Sequence, residues 1–276
     1  MSEALRFFAV QTALLAVVLI LHTYLGLHVI RRTLIFSDLV LDQLAAFGAM
    51  VGIAAGVQYG TGLSYLVSLG FVLLGAAMLA LVRPARTAVP REAAIGILYA
   101  MALVACLLLG DKLTGGGVHL TKTLAGSMLW VTWPLVSTTF AVYAVLIAFH
   151  YAFRRRFIAL AREDGQASRP RLWDFLFFAT QGVITVLIVP IAGVLLAYAL
   201  LMIPAAIAAL FRRDWGPALL LGWSVGLLSC LTGLAGSYYF DWPYGPSLIL
   251  CLGAAFVGAV FVRIALSSRA PAAGGD

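Results

Sequence analysis

Nine stretches of this chain are apolar for close to the length that a helix needs to cross a bilayer, and no other feature constrains its fold as much. They are residues 8–30, 39–56, 63–82, 93–109, 134–152, 175–191, 199–210, 218–239 and 247–264. About 20 helical residues cover the roughly 30 Å of a hydrocarbon core. Of the 276 residues, 63% are hydrophobic and 11% are charged, whereas soluble domains carry about 25% charged residues. One soluble core of this size could not bury so much apolar surface; a bilayer does not require it to. The 27 glycines fit the same reading, because Gly is frequent in membrane helices and allows close helix contact. The expectation is an all-α integral membrane protein, a polytopic bundle of about nine (eight to nine) transmembrane helices. Residues 1–266 form one membrane domain, and 267–276 form a short, disordered tail. The first run follows a single basic residue, Arg6, and precedes no small-residue cleavage site, so it reads as a retained span.

The division least fixed by sequence is residues 175–211, which hold no charge but contain Pro190, Gly193 and Pro204. They read either as two short spans joined at 190–193 or as one long broken helix. Charge separates the two. With nine spans and the amino terminus outside, 15 of the 18 basic residues fall in cytoplasmic segments, and only Arg6, Lys112 and Lys122 fall outside. The positive-inside rule prefers this arrangement. Eight spans would move Arg212, Arg213, Arg263 and Arg269 outside. The net charge of +7 is thus a topology signal and not a nucleic-acid footprint. Cys106, Cys230 and Cys251 sit far apart inside apolar runs and read as small buried hydrophobes.

Polar groups at membrane depth are costly, so each asks for a reason. The clearest lie at the start of the second span: Asp38, Asp42 and Gln43. Asp38 and Asp42, four apart, share one helix face, and Gln43 lies beside it. Such oxygen donors suit hard or borderline divalent cations. The competing structural reading makes Asp38 a helix cap and pairs Asp42 with Arg31 or Arg32. His22, His28 and His150 read as interhelical hydrogen-bonding groups, and His119 as a solvated loop residue. The stretch 154–173, RRRFIALAREDGQASRPRLW, is polar and begins helically, consistent with a short helix along the membrane face or a basic loop beside acidic lipid. Residues 110–133 form the longest outside loop, ending in an amphiphilic segment with Trp130 and Trp133. Gly222-Trp-Ser224-Val-Gly226 matches the G-x-S-x-G pattern of hydrolases. It lies within a span, and no histidine follows His150, so chance accounts for it. No Walker A sequence is present, so the chain does not hydrolyse ATP by that route.

Several segments, in order, resemble the permease subunit of zinc, manganese and iron ABC importers. Val29-Ile-Arg31-Arg32-Thr-Leu-Ile-Phe36, followed by an acid and by Gly48, resembles the family's arginine pair, phenylalanine and acidic motif. His119 to Val131, HLTKTLAGSMLWV, is similar to an external segment of the family. Residues 193–208, GVLLAYALLMIPAAIA, resemble the family's G-x-L-L-x-x-A-L-L-I-I-P-A-A-x-A almost position for position. Residues 226–233, GLLSCLTG, followed by Tyr239-Phe-Asp241-Trp-Pro243-Tyr-Gly245-Pro, are similar to its glycine-rich span and D-x-P-x-G. The resemblance covers most of the chain, from about residue 20 to 265.

This resemblance implies a type II ABC-importer-like permease in the bacterial inner membrane. Two copies would line the path, each seated on a cytoplasmic ABC ATPase subunit, with an extracytoplasmic metal-binding protein docking outside. The family's coupling helix maps to 154–173, with Arg162, Glu163, Asp164 and Gly165 at its centre. No permanently bound cofactor is implied; the divalent metal ion is cargo. The family's second-span motif, D-x-L-S-H, is not reproduced. Alignment on Phe36 and Gly48 puts Asp42 at its Ser and Gln43 at its His; alignment on Asp38 puts Asp42 at its His. The site is then either a carboxylate-and-amide variant or a passage without firm coordination. A different class of reading is a standalone ion carrier or channel built on Asp38 and Asp42, and a third is an intramembrane hydrolase built on Ser224.

Overall fold

The computed structural model describes residues 3–82, 89–118, 121, 131–161 and 169–268. Its principal elements are helices: α1 (Glu3–Arg31), α2 (Ser37–Ala54), α3 (Gly62–Leu81), α4 (Arg91–Lys112), α5 (Trp133–Ala152), the short α6 (Arg154–Leu160), α7 (Pro170–Phe211), α8 (Trp215–Phe240) and α9 (Tyr244–Ser268). Each apolar run of the sequence coincides with a helical segment to within two or three residues at most ends, the second and third runs passing the ends of their helices by two residues and one. α9 reaches Ser268, two residues into the stretch expected to be a tail. Eight of the helices are long and apolar enough to cross a membrane.

One of those eight crosses twice. α7 is 42 residues long and breaks at Gly193, where φ is 77° and ψ is 162°. That backbone region is open almost only to glycine. A straight helix would set positions 174 and 213 about 58 Å apart at 1.5 Å per residue. Instead, Arg32 forms an ion pair with Asp174, and its neighbour Arg31 donates to the Arg213 carbonyl at 2.6 Å. Two adjacent arginines can reach both points only if the chain reverses at Gly193. α7 is therefore two arms, 170–192 and 194–211, each long enough to span. The nine passes read from charge are recovered, with the sixth and seventh runs joined by a tight bend rather than a loop.

Reversal also orders the ends. Arg31, Arg91, Asp174 and Arg213 meet on one side, hereafter the arginine-rich face. On the opposite side Phe7 and Phe8 of α1 lie against Tyr238 near the end of α8. Nine passes starting there bring α9 back to the arginine-rich face.

The two arms of α7 are the centre of the bundle. Along them Phe177, Phe178, Ile184, Ile188, Val194, Leu196, Leu200 and Leu201 are buried against α1, α2 and α3. Small residues set the spacing, as expected where helices must pack without a hydrophobic gain over lipid. A side chain at Gly26 of α1 would collide with the Leu201 carbonyl, and one at Gly233 of α8 would meet the Leu248 Cα of α9 at 2.8 Å. The glycines of the G-x-S-x-G pattern belong to this packing. Gly222 and Gly226 face Pro204 on the second arm of α7, while Ser224 points outward and donates to the Leu220 carbonyl of its own helix. The outer faces are apolar and exposed: Leu228, Leu250 and Phe261 are 63–68% accessible, a surface suited to lipid.

Candidate transport site

α2 and the first arm of α7 both start at the arginine-rich face and run parallel. Each carries a polar pair one turn apart: Asp38 and Asp42 on α2, Gln181 and Thr185 on α7. All four side chains are buried, with at most 2% accessible. The pairs are in register. Gln181 Nε2 donates to Asp38 Oδ1 at 2.8 Å, and the Thr185 hydroxyl approaches Asp42 one turn further on. Because the Gln181 amide nitrogen faces a carboxylate, its Oε1 is turned elsewhere. Oε1 of Gln181 and both carboxylate oxygens of Asp42 are buried without a hydrogen-bond partner. Buried acceptors with a single donor among the described residues, the Thr185 hydroxyl, within reach are unfavourable alone.

The structural alternatives for the acidic pair are not what is found. Asp38 does not cap α2, whose N-cap is Phe36 and has no side-chain cap bond. Asp42 is not matched to Arg31 or Arg32. Arg31 serves the Arg213 carbonyl and lies over the Trp215 ring at 4.1 Å. Arg32 pairs with Asp174, which also accepts from Arg91 Nη2 at 3.5 Å. Asp174 stands two turns before Gln181, about 10 Å nearer the arginine-rich face. A positively charged cluster therefore lies between the oxygen pocket and that face.

Gln43 sits apart from the pair. Its stripe on α2 continues through Ala46 and Met50, which pack on Cys106 of α4, and the Cys106 thiol contacts the Gln43 carbonyl at 3.3 Å. Asp38 and Asp42 thus face α7 while Gln43 lies on the side toward α4. Among the described residues no group of three or more His, Cys, Asp or Glu converges on one point, so the candidate site is an oxygen site completed by an amide and a hydroxyl. Gln181 and Thr185 were not singled out from the sequence. The available signal was their four-residue spacing inside an otherwise apolar run, matching that of Asp38 and Asp42.

The histidines divide. His22 Nδ1 lies 3.4 Å from the Tyr143 hydroxyl of α5, and His150 Nε2 lies 2.9 Å from the Thr180 hydroxyl of α7; both join helices as read from the sequence. His28 does not: neither ring nitrogen has a hydrogen-bond partner, and its ring instead packs on Tyr24 and Trp215. Cys106 and Cys230 are buried and free, and Cys251 is half-buried. His119 and the expected coupling residues Arg162, Glu163, Asp164 and Gly165 lie outside the described residues.

Fold and site together define a multi-pass membrane protein with a buried pair of carboxylates between its central helices, the class of a transport permease. Residues 5–263 match the model of the ABC 3 transport family, and the chain belongs to that family. A probable metal transport system membrane protein of Chlamydia pneumoniae is 22% identical over 77% of this chain and 75% of its own length. The manganese transport system membrane protein MntC of Halalkalibacterium halodurans is 25% identical over 63% of this chain and 61% of its own. Among solved structures, a chain of PsaBC from Streptococcus pneumoniae in complex with Fab superposes with a TM-score of 0.76 at 20% identity. That match covers 93% of this chain and 91% of that one, and establishes the likeness of fold.

Proposed function

We propose that this chain is the membrane-spanning permease subunit of an ABC importer for divalent metal ions (zinc, manganese or iron), working by alternating access. A second copy completes the path, a separate cytoplasmic ATPase drives it, and an extracytoplasmic metal-binding protein delivers the ion. The arginine-rich face is cytoplasmic, so the amino terminus lies outside and the carboxyl terminus inside. The cargo ion passes Asp38 and Asp42, with Gln181 Oε1 and the Thr185 hydroxyl as further oxygen donors. Gln43 borders the path from the α4 side, and Arg162, Glu163, Asp164 and Gly165 contact the ATPase. The observation that carries this reading is a buried cluster of acceptors short of donors, Asp42 Oδ1 and Oδ2 with Gln181 Oε1, with the Thr185 hydroxyl the one donor near them among the described residues. Oxygen-only donor sets suit manganese better than zinc, in keeping with the name of the manganese relative.

Metal-stimulated ATPase activity tests the proposal, with the chain reconstituted in vesicles beside its ATPase and binding protein. Manganese, iron(II) and zinc are added in turn to the parent and to Asp42→Asn, Gln181→Leu and Gln43→Ala. Stimulation in the parent, reduced roughly tenfold or more by Asp42→Asn and Gln181→Leu and little changed by Gln43→Ala, is the expected result. Full activity in Asp42→Asn and Gln181→Leu would remove the site and leave the permease. No response of any ATPase to any metal would favour a standalone carrier.

A further inference from the structure

On the outer surface of the bundle, near the arginine-rich face, a groove of about 290 Å³ runs between α1, α5 and α8. Its walls are apolar: Ile20, Ile147, Ile158, Leu219 and Trp223 among them. Two features separate it from ordinary lipid-facing surface. First, Arg154 closes one end and is shared with a second hollow of about 370 Å³, lined by Arg154, Arg155 and Arg156. Arg154 is held there by its own neighbour, with its guanidinium 4.4 Å over the Tyr151 ring and its Nη1 donating to the Tyr151 carbonyl at 3.2 Å. Second, the Tyr24 and His150 side chains that line it keep their unpartnered hydroxyl and Nδ1 enclosed, so the groove surface itself is apolar. His150 is 97% buried. The Thr180 hydroxyl donates to the main-chain carbonyls of Leu176 and Phe177. It therefore accepts from His150 Nε2, which leaves Nδ1 as an acceptor. The groove thus offers an arginine rim over an apolar trough.

We propose that this groove is a binding site for one anionic phospholipid of the leaflet at the arginine-rich face, of the phosphatidylglycerol class. The phosphate lies on Arg154 with Arg155 and Arg156 beside it, as basic pockets between membrane helices hold acidic headgroups. An acyl chain fills the apolar trough. A second copy of the chain is the other apolar occupant available. A two-fold contact needs a self-complementary patch, and the residues lining this groove and the arginine hollow include no Asp or Glu to meet the arginines of the other copy.

The test is lipid retention by the full-length chain purified in mild detergent, measured by native mass spectrometry after exposure to equimolar phosphatidylglycerol and phosphatidylcholine with the same acyl chains. One phosphatidylglycerol retained per chain, favoured roughly tenfold or more over phosphatidylcholine, is expected. The preference should disappear in the Arg154→Ala, Arg155→Ala, Arg156→Ala variant, whose replaced side chains are exposed. Ile147→Trp, which fills the trough, should lose the lipid with the arginines intact. A photo-crosslinking residue at position 147 should capture lipid. Equal retention of the two lipids, retention unchanged in the arginine variant, or capture of a second copy at position 147 would each overturn the proposal.

Discussion

Replacing Asp174 by Asn tests how the arginine-rich end of the bundle is held. Asp174 is fully buried, and the Arg32 side chain that it pairs with is 4% accessible. Its second oxygen faces Arg91, whose side chain is 14% accessible. The carboxylate thus ties the end of α1 and the start of α4 to the first arm of α7. Arg91 adds α3 through the Leu79 carbonyl at 3.3 Å. Removing the charge leaves two guanidinium groups side by side at a buried point. Breaking a buried pair from one side costs about 3–5 kcal/mol, because the remaining charge is uncompensated. For a chain of this size that corresponds to a melting point lower by roughly 10 °C. Arg32→Gln should cost less, since Asp174 keeps Arg91. The double variant Arg32→Gln, Asp174→Asn should be less damaging than the two single losses combined, by about 1–3 kcal/mol. Thermal unfolding of the four proteins in the same detergent measures the cycle. Strict additivity, or a change below about 1 kcal/mol for Asp174→Asn, would refute the reasoning.

Three further outcomes follow from geometry. Gly193→Ala puts a side chain at φ 77° and should destabilise the chain by about 1–3 kcal/mol, read as a lower melting point, whereas Gly253→Ala, where a Cβ meets nothing within 4 Å, should leave melting unchanged. Gly233→Leu forces apart α8 and α9 and should abolish recovery of folded protein, read by size-exclusion chromatography of the detergent extract. Single cysteines introduced at Asp111 and at Arg213 in a chain lacking the three native ones should react with an impermeant maleimide from opposite sides of a sealed vesicle; labelling from one side would reduce nine passes to eight.

The count of passes was legible because two independent signals agreed. Apolar length located the runs, and the arginines between them assigned sides. What length could not separate was the stretch 175–211, since no charged residue interrupts it. The structure explains why none is needed: Gly193 turns the chain within one residue, and the buried arms leave no loop to solvate. Asp174 was hidden for the opposite reason. It sits among basic residues at the edge of a polar loop, where a charged side chain calls for no explanation, and only folding shows that it is the buried counterion of Arg32 and Arg91.

The acidic pair shows where reading along one chain ends and packing begins. A four-residue spacing puts Asp38 and Asp42 on one face, but it says nothing about what that face meets. The nearest charges in the sequence, Arg31 and Arg32, were the obvious partners, and both are engaged elsewhere. Arg32 is drawn to Asp174 because α1 ends beside the start of α7, which leaves the α2 acids facing the uncharged middle of that arm. There Gln181 and Thr185 repeat the same spacing on a helix running the same way, so two polar ladders meet rung to rung. A glutamine can satisfy one oxygen of Asp38 and still present its own carbonyl oxygen, whereas a lysine or arginine in its place would neutralise the pair and close the pocket to cations. The sequence therefore keeps its positive charges two turns away, at Arg32 and Arg91, and places only neutral oxygen donors beside the acids. On the proposed function, that separation of charge would make the acidic pair a place for a cation to stop, with the arginine cluster between it and the arginine-rich face.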